Sequence, residues 1–175
     1  NAYVNQMPRI FPDAITENKV ICINAVGAQK SFSTLISSRL PDLHVLQTGQ
    51  CFPLYIYDEA PEQTDLDLFS GSTVLERQRR DGITDESLVH FQTAYAGEFV
   101  SKEDLFYFVY GILHSPDYRE RFADNLSKEL PRIPAVKKAA DFWAFSKAGR
   151  ALADLHLNYE TVEPYPLTIE AKGTL

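Results

Sequence analysis

The feature that most constrains this chain is the stretch from Ser101 to Glu160, whose apolar residues recur at helical spacing between clear start and stop signals. Ser101 can cap a helix whose first turn holds Glu103 and Asp104, the acids that suit a positive helix end. Leu105, Val109 and Ile112 form one apolar face, and Phe106, Tyr110 and Leu113 form a second beside it, so this helix is expected to be mostly buried. Ser115 followed by Pro116 opens another helix, because proline at the first position gives up an N–H that would have no partner anyway. Tyr118, Phe122 and Leu126 are its expected inner side, and Pro131 ends it. A last helix is expected over about Val136 to Leu157, with Phe142, Phe145, Gly149, Leu152 and Leu155 inward. Before these, Thr84 caps a helix that stops near Gly97, with Ile83 stapled onto Leu88.

The period changes upstream of Gly82. Lys19 to Val26 is a short β-branched run ending at Gly27, and Phe32 to Leu40, Leu43 to Leu46 and Cys51 to Tyr57 are further extended candidates, with Gly49 at a turn. Strands followed by helices predict an α+β fold: a mostly antiparallel N-terminal sheet lobe packed on a C-terminal bundle of about four helices. The expected divisions are a strand-rich lobe over 1–57, an acidic linker ending in a basic cluster over 58–80, a helical lobe over 81–160 and an extended tail over 161–175. The hydrophobic share of 45% is ample for a folded core. No apolar run reaches the roughly 20 residues that span a bilayer, and no secretory leader is evident. Two cysteines, Cys22 and Cys51, suggest small buried side chains in a reducing cytoplasm rather than a disulfide framework. A start at Asn1 without methionine reads as a piece excised from something longer.

Catalytic motifs are sparse. Asn24 to Ser31 ends in Lys-Ser like a phosphate-binding loop, but Asn24 and Gln29 stand where that motif needs glycine. Pro41-Asp42, Pro116-Asp117 and Glu170-Ala171-Lys172 do not combine into the paired carboxylates and lysine of a metal-dependent nuclease. His44, His90, His114 and His156 show no zinc-ligand spacing with the cysteines. No catalytic, metal or cofactor site is therefore expected in this segment.

The formal charge of −7 is unfavourable for DNA, but its distribution is uneven. Residues 1–57 carry four bases against three acids, and Asp58 to Glu76 carries six acids and no base. Arg77-Gln78-Arg79-Arg80 then supplies both residue types that read base edges, arginine for guanine and glutamine for adenine. The same run could equally be the solvated end of a short helix from Thr73 to Arg80, neutralised by the acids before it. Gln29, Lys30 and Arg39 are the other candidate DNA contacts. Tyr107, Tyr110 and Trp143 could stack on bases, although their spacing also suits a core.

The run Phe106 to Arg119, with Lys128-Glu129-Leu130-Pro131-Arg132-Ile133-Pro134 and Asp154 to Glu160, resembles the C-terminal specificity domain of type ISP single-polypeptide restriction-modification enzymes. Pro8-Arg9-Ile10-Phe11-Pro12, Pro41-Asp42-Leu43-His44 and Gly49 to Tyr55 extend the resemblance over most of the chain. It implies sequence-specific recognition of double-stranded DNA inside a large bacterial enzyme. That parent would carry methyltransferase and helicase/nuclease parts using S-adenosylmethionine, ATP and Mg²⁺. Its other domains would be partners of this segment, and no membrane would be involved. The alternatives are a non-catalytic docking module joining those domains, or a divergent nuclease using Asp117 or Glu170.

Overall fold

A computed structural model of the chain describes residues 7–24, 31–42, 45–46, 49–58 and 77–167. Helix α1 (Met7–Ile10) precedes strands β1 (Val20–Ile23), β2 (Thr34–Ser37), β3 (Gln50–Pro53), β4 (Tyr55–Tyr57) and β5 (Arg79–Asp81). Helices α2 (Asp85–Ala94), α3 (Lys102–His114), α4 (Pro116–Arg121), α5 (Ala123–Leu126) and α6 (Ala139–Leu157) follow. The expected α+β arrangement is present, with antiparallel sheets in the N-terminal half and helices in the C-terminal half.

Strand β1 is central, between β2 and β3, and antiparallel to both. All four of its residues are buried because both its faces are covered. Alternation sends Ile21 and Ile23 into the main core with the helices, and Val20 and Cys22 into a smaller cluster with Met7, Ile10 and Phe11. On that second face Cys22 stands directly opposite Cys51, their Sγ atoms 3.4 Å apart and both thiols free.

Leu54 is the corner at which the chain leaves this sheet and enters a second one, β4 paired with β5. Asn18 fastens the corner. Its side-chain amide donates 2.8 Å hydrogen bonds to the carbonyls of Ile10 and Tyr55, and its oxygen accepts from the Tyr55 amide at 3.1 Å. Asn18→Ala would leave those backbone groups unpaired, at an expected cost of about 1–3 kcal/mol in denaturant unfolding. A change below about 0.5 kcal/mol would show that water replaces the side chain.

Helix starts follow the local chemistry. Ser101 and Asp104 form a reciprocal capping box on α3, Thr84 caps α2, and Ser115 caps α4 ahead of Pro116. Helix α3 is the hub of the core, with eight buried residues. Phe108 stacks on Phe142 of α6 at a 4.7 Å centroid distance, and Phe91 of α2 and Tyr95 just after it close the cluster.

Several expectations are corrected. The helix expected over Thr73 to Arg80 is not formed at its basic end, where Arg79–Asp81 pairs as a strand with Tyr55–Tyr57. Cys51 to Tyr57 is two strands in different sheets, and Val45 and Leu46 lie in a turn, while Leu43 and His44 fall outside the described residues. The third helix breaks at Phe122, whose φ of −111° and ψ of 18° are not helical. The last helix begins at Ala139, with extended backbone at Lys138. Its inner face is Phe142, Ser146, Gly149 and Ala153, not Leu155, which is half exposed. Small residues win that face because α3 and α6 approach at backbone distance: an added Cβ on Gly149 would lie 2.0 Å from the Tyr107 carbonyl oxygen.

His114 and His156 pack beside Tyr110, whose hydroxyl is 2.5 Å from His156 Nδ1. Burial, with Arg119 and His156 nearby, pushes the pKa of His114 down to about 4. An unfolded histidine titrates near 6.5, so between those values the unfolded chain binds the extra proton. This contribution to stability is complete above pH 6.5 and is lost as pH falls towards 4. Discounted for partial exposure, the loss is roughly 1–2 kcal/mol. Unfolding at pH 7 and pH 4.5 should show His114→Gln losing less stability on acidification than the unsubstituted chain, and equal losses would contradict this.

Candidate nucleic-acid interface

The pleat of β5 sends Arg79 and Arg80 to opposite faces. Consecutive strand residues face opposite ways. Arg80 is engaged by the Asp58 carboxylate, which also lies 3.8 Å from Arg9, and Arg77 reaches the Pro8 carbonyl at 3.5 Å. These arginines gather on the α1 side of the fold. Arg79 turns the other way and lies over the Tyr55 ring, 4.2 Å from its centroid. Gln78 is exposed, and its carbonyl accepts from the Asp58 amide at 3.0 Å.

Arg79 thereby lines an open cleft of about 410 Å³ with Lys19, Arg39, Tyr55, Glu17 and Glu103. The structure thus brings together two of the expected contact residues, Arg39 and Arg79, which lie forty positions apart in the sequence. Lys19 was not singled out from the sequence, because a lysine before a β-branched run reads only as a strand boundary. Gln29 and Lys30 lie outside the described residues.

Rigid parts hold the cleft. Lys19 Nζ donates to the Tyr107 hydroxyl at 2.9 Å, tying the start of β1 to α3. Asp81, opposite Tyr55 in the ladder, is bridged at 3.2 Å by Lys102 on α3. Hydrogen bonds to Asp85 and then Asp81 push Lys102 above the usual lysine value, which keeps it charged. Gly82 passes under the corner so closely that a Cβ would sit 1.9 Å from the Pro53 carbonyl oxygen. The cleft is therefore an open, tethered surface carrying two arginines and a lysine, side chains suited to base edges and phosphates.

Asp117 occupies the first turn of α4, and Glu170 lies outside the described residues. Among the described residues no three His, Cys, Asp or Glu side chains are placed to hold a metal ion. Tyr107 and Tyr110 are buried in the core, and Trp143 Nε1 donates to Glu98 at 2.9 Å. No described helix is long and apolar enough to cross a membrane.

Comparison with known proteins places this geometry. No curated protein matches the chain. Among solved structures, a DrdV–DNA complex is similar at 40% identity with a TM-score of 0.78, over 92% of this chain and 14% of that one. The ATP-dependent Type ISP restriction-modification enzyme LlaBIII bound to DNA is similar at 33% identity and a TM-score of 0.72, over 90% of this chain and 9% of that one. A nuclease-deletion mutant of the Type ISP enzyme LlaGI in complex with a DNA substrate mimic gives 33% identity and a TM-score of 0.68, over 95% and 13%. The chain thus spans only a small part of the length of each of these enzymes. The model of the Type ISP C-terminal specificity domain matches residues 1–174, and the chain belongs to that family.

Proposed function

We propose that this chain recognises a specific duplex DNA sequence within a restriction-modification enzyme and positions that site for the methyltransferase and helicase/nuclease parts. The observation that carries the reading is the match to a specificity domain along 1–174. The cleft holding Arg39, Arg79 and Lys19 supports it. In this reading the segment is non-catalytic and works in the cytoplasm. The base flipping and methyl transfer from S-adenosylmethionine, and the ATP- and Mg²⁺-dependent steps, belong to the rest of the parent polypeptide.

The division of the arginine run sharpens the test. Arg39→Ala with Arg79→Ala in the parent enzyme should weaken duplex binding and flatten its salt dependence by about 0.9 in log–log slope per lost phosphate contact. If one of the pair reads a base, its single substitution should cost about 1–3 kcal/mol at one position of the site. Arg80→Ala should have the smaller effect, because Asp58 already engages that guanidinium. Unchanged affinity, slope and site preference in the double variant would refute the cleft as the contact surface.

A second reading, a docking module for another domain of the parent, is favoured by an apolar groove of about 290 Å³ lined by Phe52, Ile83, Val109 and Leu130. Gel shift of the 175-residue chain on cognate and scrambled duplexes separates the two. A cognate-specific shift supports recognition, and its absence favours docking.

A further inference from the structure

We infer that the DNA-facing surface does not end at the Arg39–Arg79 cleft but continues along α6 as a phosphate-tracking trough ending at Lys147. This rests on the DNA-recognition reading and adds a division of labour within it. A second open cleft, of about 670 Å³, runs beside Tyr107 and the α6 residues Lys147, Arg150 and Asp154. Lys19 and Ser38 line both clefts, so the two form one continuous depression across the junction of sheet and helices. Its charge is the reverse of the chain's. The whole sequence has 17 bases and 24 acids. The depression is lined by five cations (Lys19, Arg39, Arg79, Lys147, Arg150) against three acids (Glu17, Glu103, Asp154).

The two halves differ in what they present. In the first, Arg79 and Arg39 offer planar forks able to pair bidentately with a base edge. In the second, the one arginine is already engaged. Arg150 bridges Glu103 at 2.9 Å and Asp104 at 3.2 Å and lies 4.1 Å from the Tyr107 ring centroid. What the second half offers to a ligand is lysine: Lys19, oriented by the Tyr107 hydroxyl, and Lys147, which is exposed and has no ion-pair partner among the described residues. Compact ammonium groups attract phosphate without reading sequence. The trough therefore anchors the duplex backbone, while the Arg39–Arg79 cleft faces the bases.

The test is Lys147→Glu in the parent enzyme, with duplex affinity measured across a salt series on cognate and scrambled duplexes and the methylated sequence read by sequencing. The expected result is roughly tenfold weaker binding to both duplexes, a slope lower by about 0.9, and an unchanged methylated sequence. Ser38→Asp, which puts a negative charge at the waist shared by both clefts, should weaken binding in the same way and guards against a local effect at α6. Affinity and slope unchanged in both variants, while the Arg39/Arg79 double variant loses binding, would overturn the trough and leave the DNA reading standing. An altered methylated sequence in Lys147→Glu would overturn its assignment as a phosphate contact. Unchanged binding in every variant, the double included, would overturn both.

Discussion

Phe142→Ala is expected to remove about 3–5 kcal/mol of folding stability, a large part of what a domain of this size possesses. Phe142 is fully buried on α6, and its ring meets Phe108 of α3 at 4.7 Å, Tyr95 at the end of α2 at 5.1 Å and Phe91 of α2 at 6.1 Å. Truncation opens a cavity bounded by rings on two other helices, whose backbones are fixed by their own packing and cannot collapse into it. The same change at Phe145, which is only partly buried, should cost less. Denaturant midpoints with an unchanged m-value measure the difference. A loss below about 1 kcal/mol at Phe142 would mean that α6 does not close the core.

The second large effect is overpacking. Gly149→Ala is expected to cost about 3 kcal/mol, although alanine is the better helix former by roughly 1 kcal/mol. The added methyl would lie 2.0 Å from the Tyr107 carbonyl oxygen and 2.8 Å from the Gly111 amide nitrogen, backbone atoms that move only if the helices separate. Separation would strain what holds them together, including the 2.9 Å bond from Ser146 Oγ to the Asp104 carbonyl. It would also shift Tyr107, to which Lys19 is bonded, so DNA affinity should fall with stability. A neutral or stabilising Gly149→Ala would contradict the close approach of α3 and α6.

The elements best foreshadowed by the sequence are those whose signals are local. Ser101 with Asp104, and Ser115 before Pro116, mark helix starts through groups a few residues away, and the Lys19 to Val26 run contains β1 through its own β-branched side chains. What escaped notice depends on distant partners. On the inner face of α6, Phe142 and Gly149 are buried as their spacing suggests, but apolar periodicity rewards large side chains and points to Leu155, whereas a backbone-level contact selects the small Ser146 and Ala153. Strand β5 reads Arg-Arg-Asp, with none of its residues buried, so only its pairing with Tyr55–Tyr57 makes it a strand. The candidate site was half visible for the same reason. Arg39 and Arg79 carry recognisable chemistry, but nothing local says that they share a cleft with Lys19, or that Asp58 draws Arg80 away.

The central claim is that this segment chooses the DNA sequence on which its parent enzyme acts. The most direct measurement exchanges residues 1–174 for the corresponding segment of another family member, in a parent enzyme of otherwise unchanged sequence, and maps methylated sites by sequencing. The methylated sequence is expected to follow the exchanged segment. A methylated sequence that stays with the host enzyme, in a chimera that folds and methylates, would contradict it.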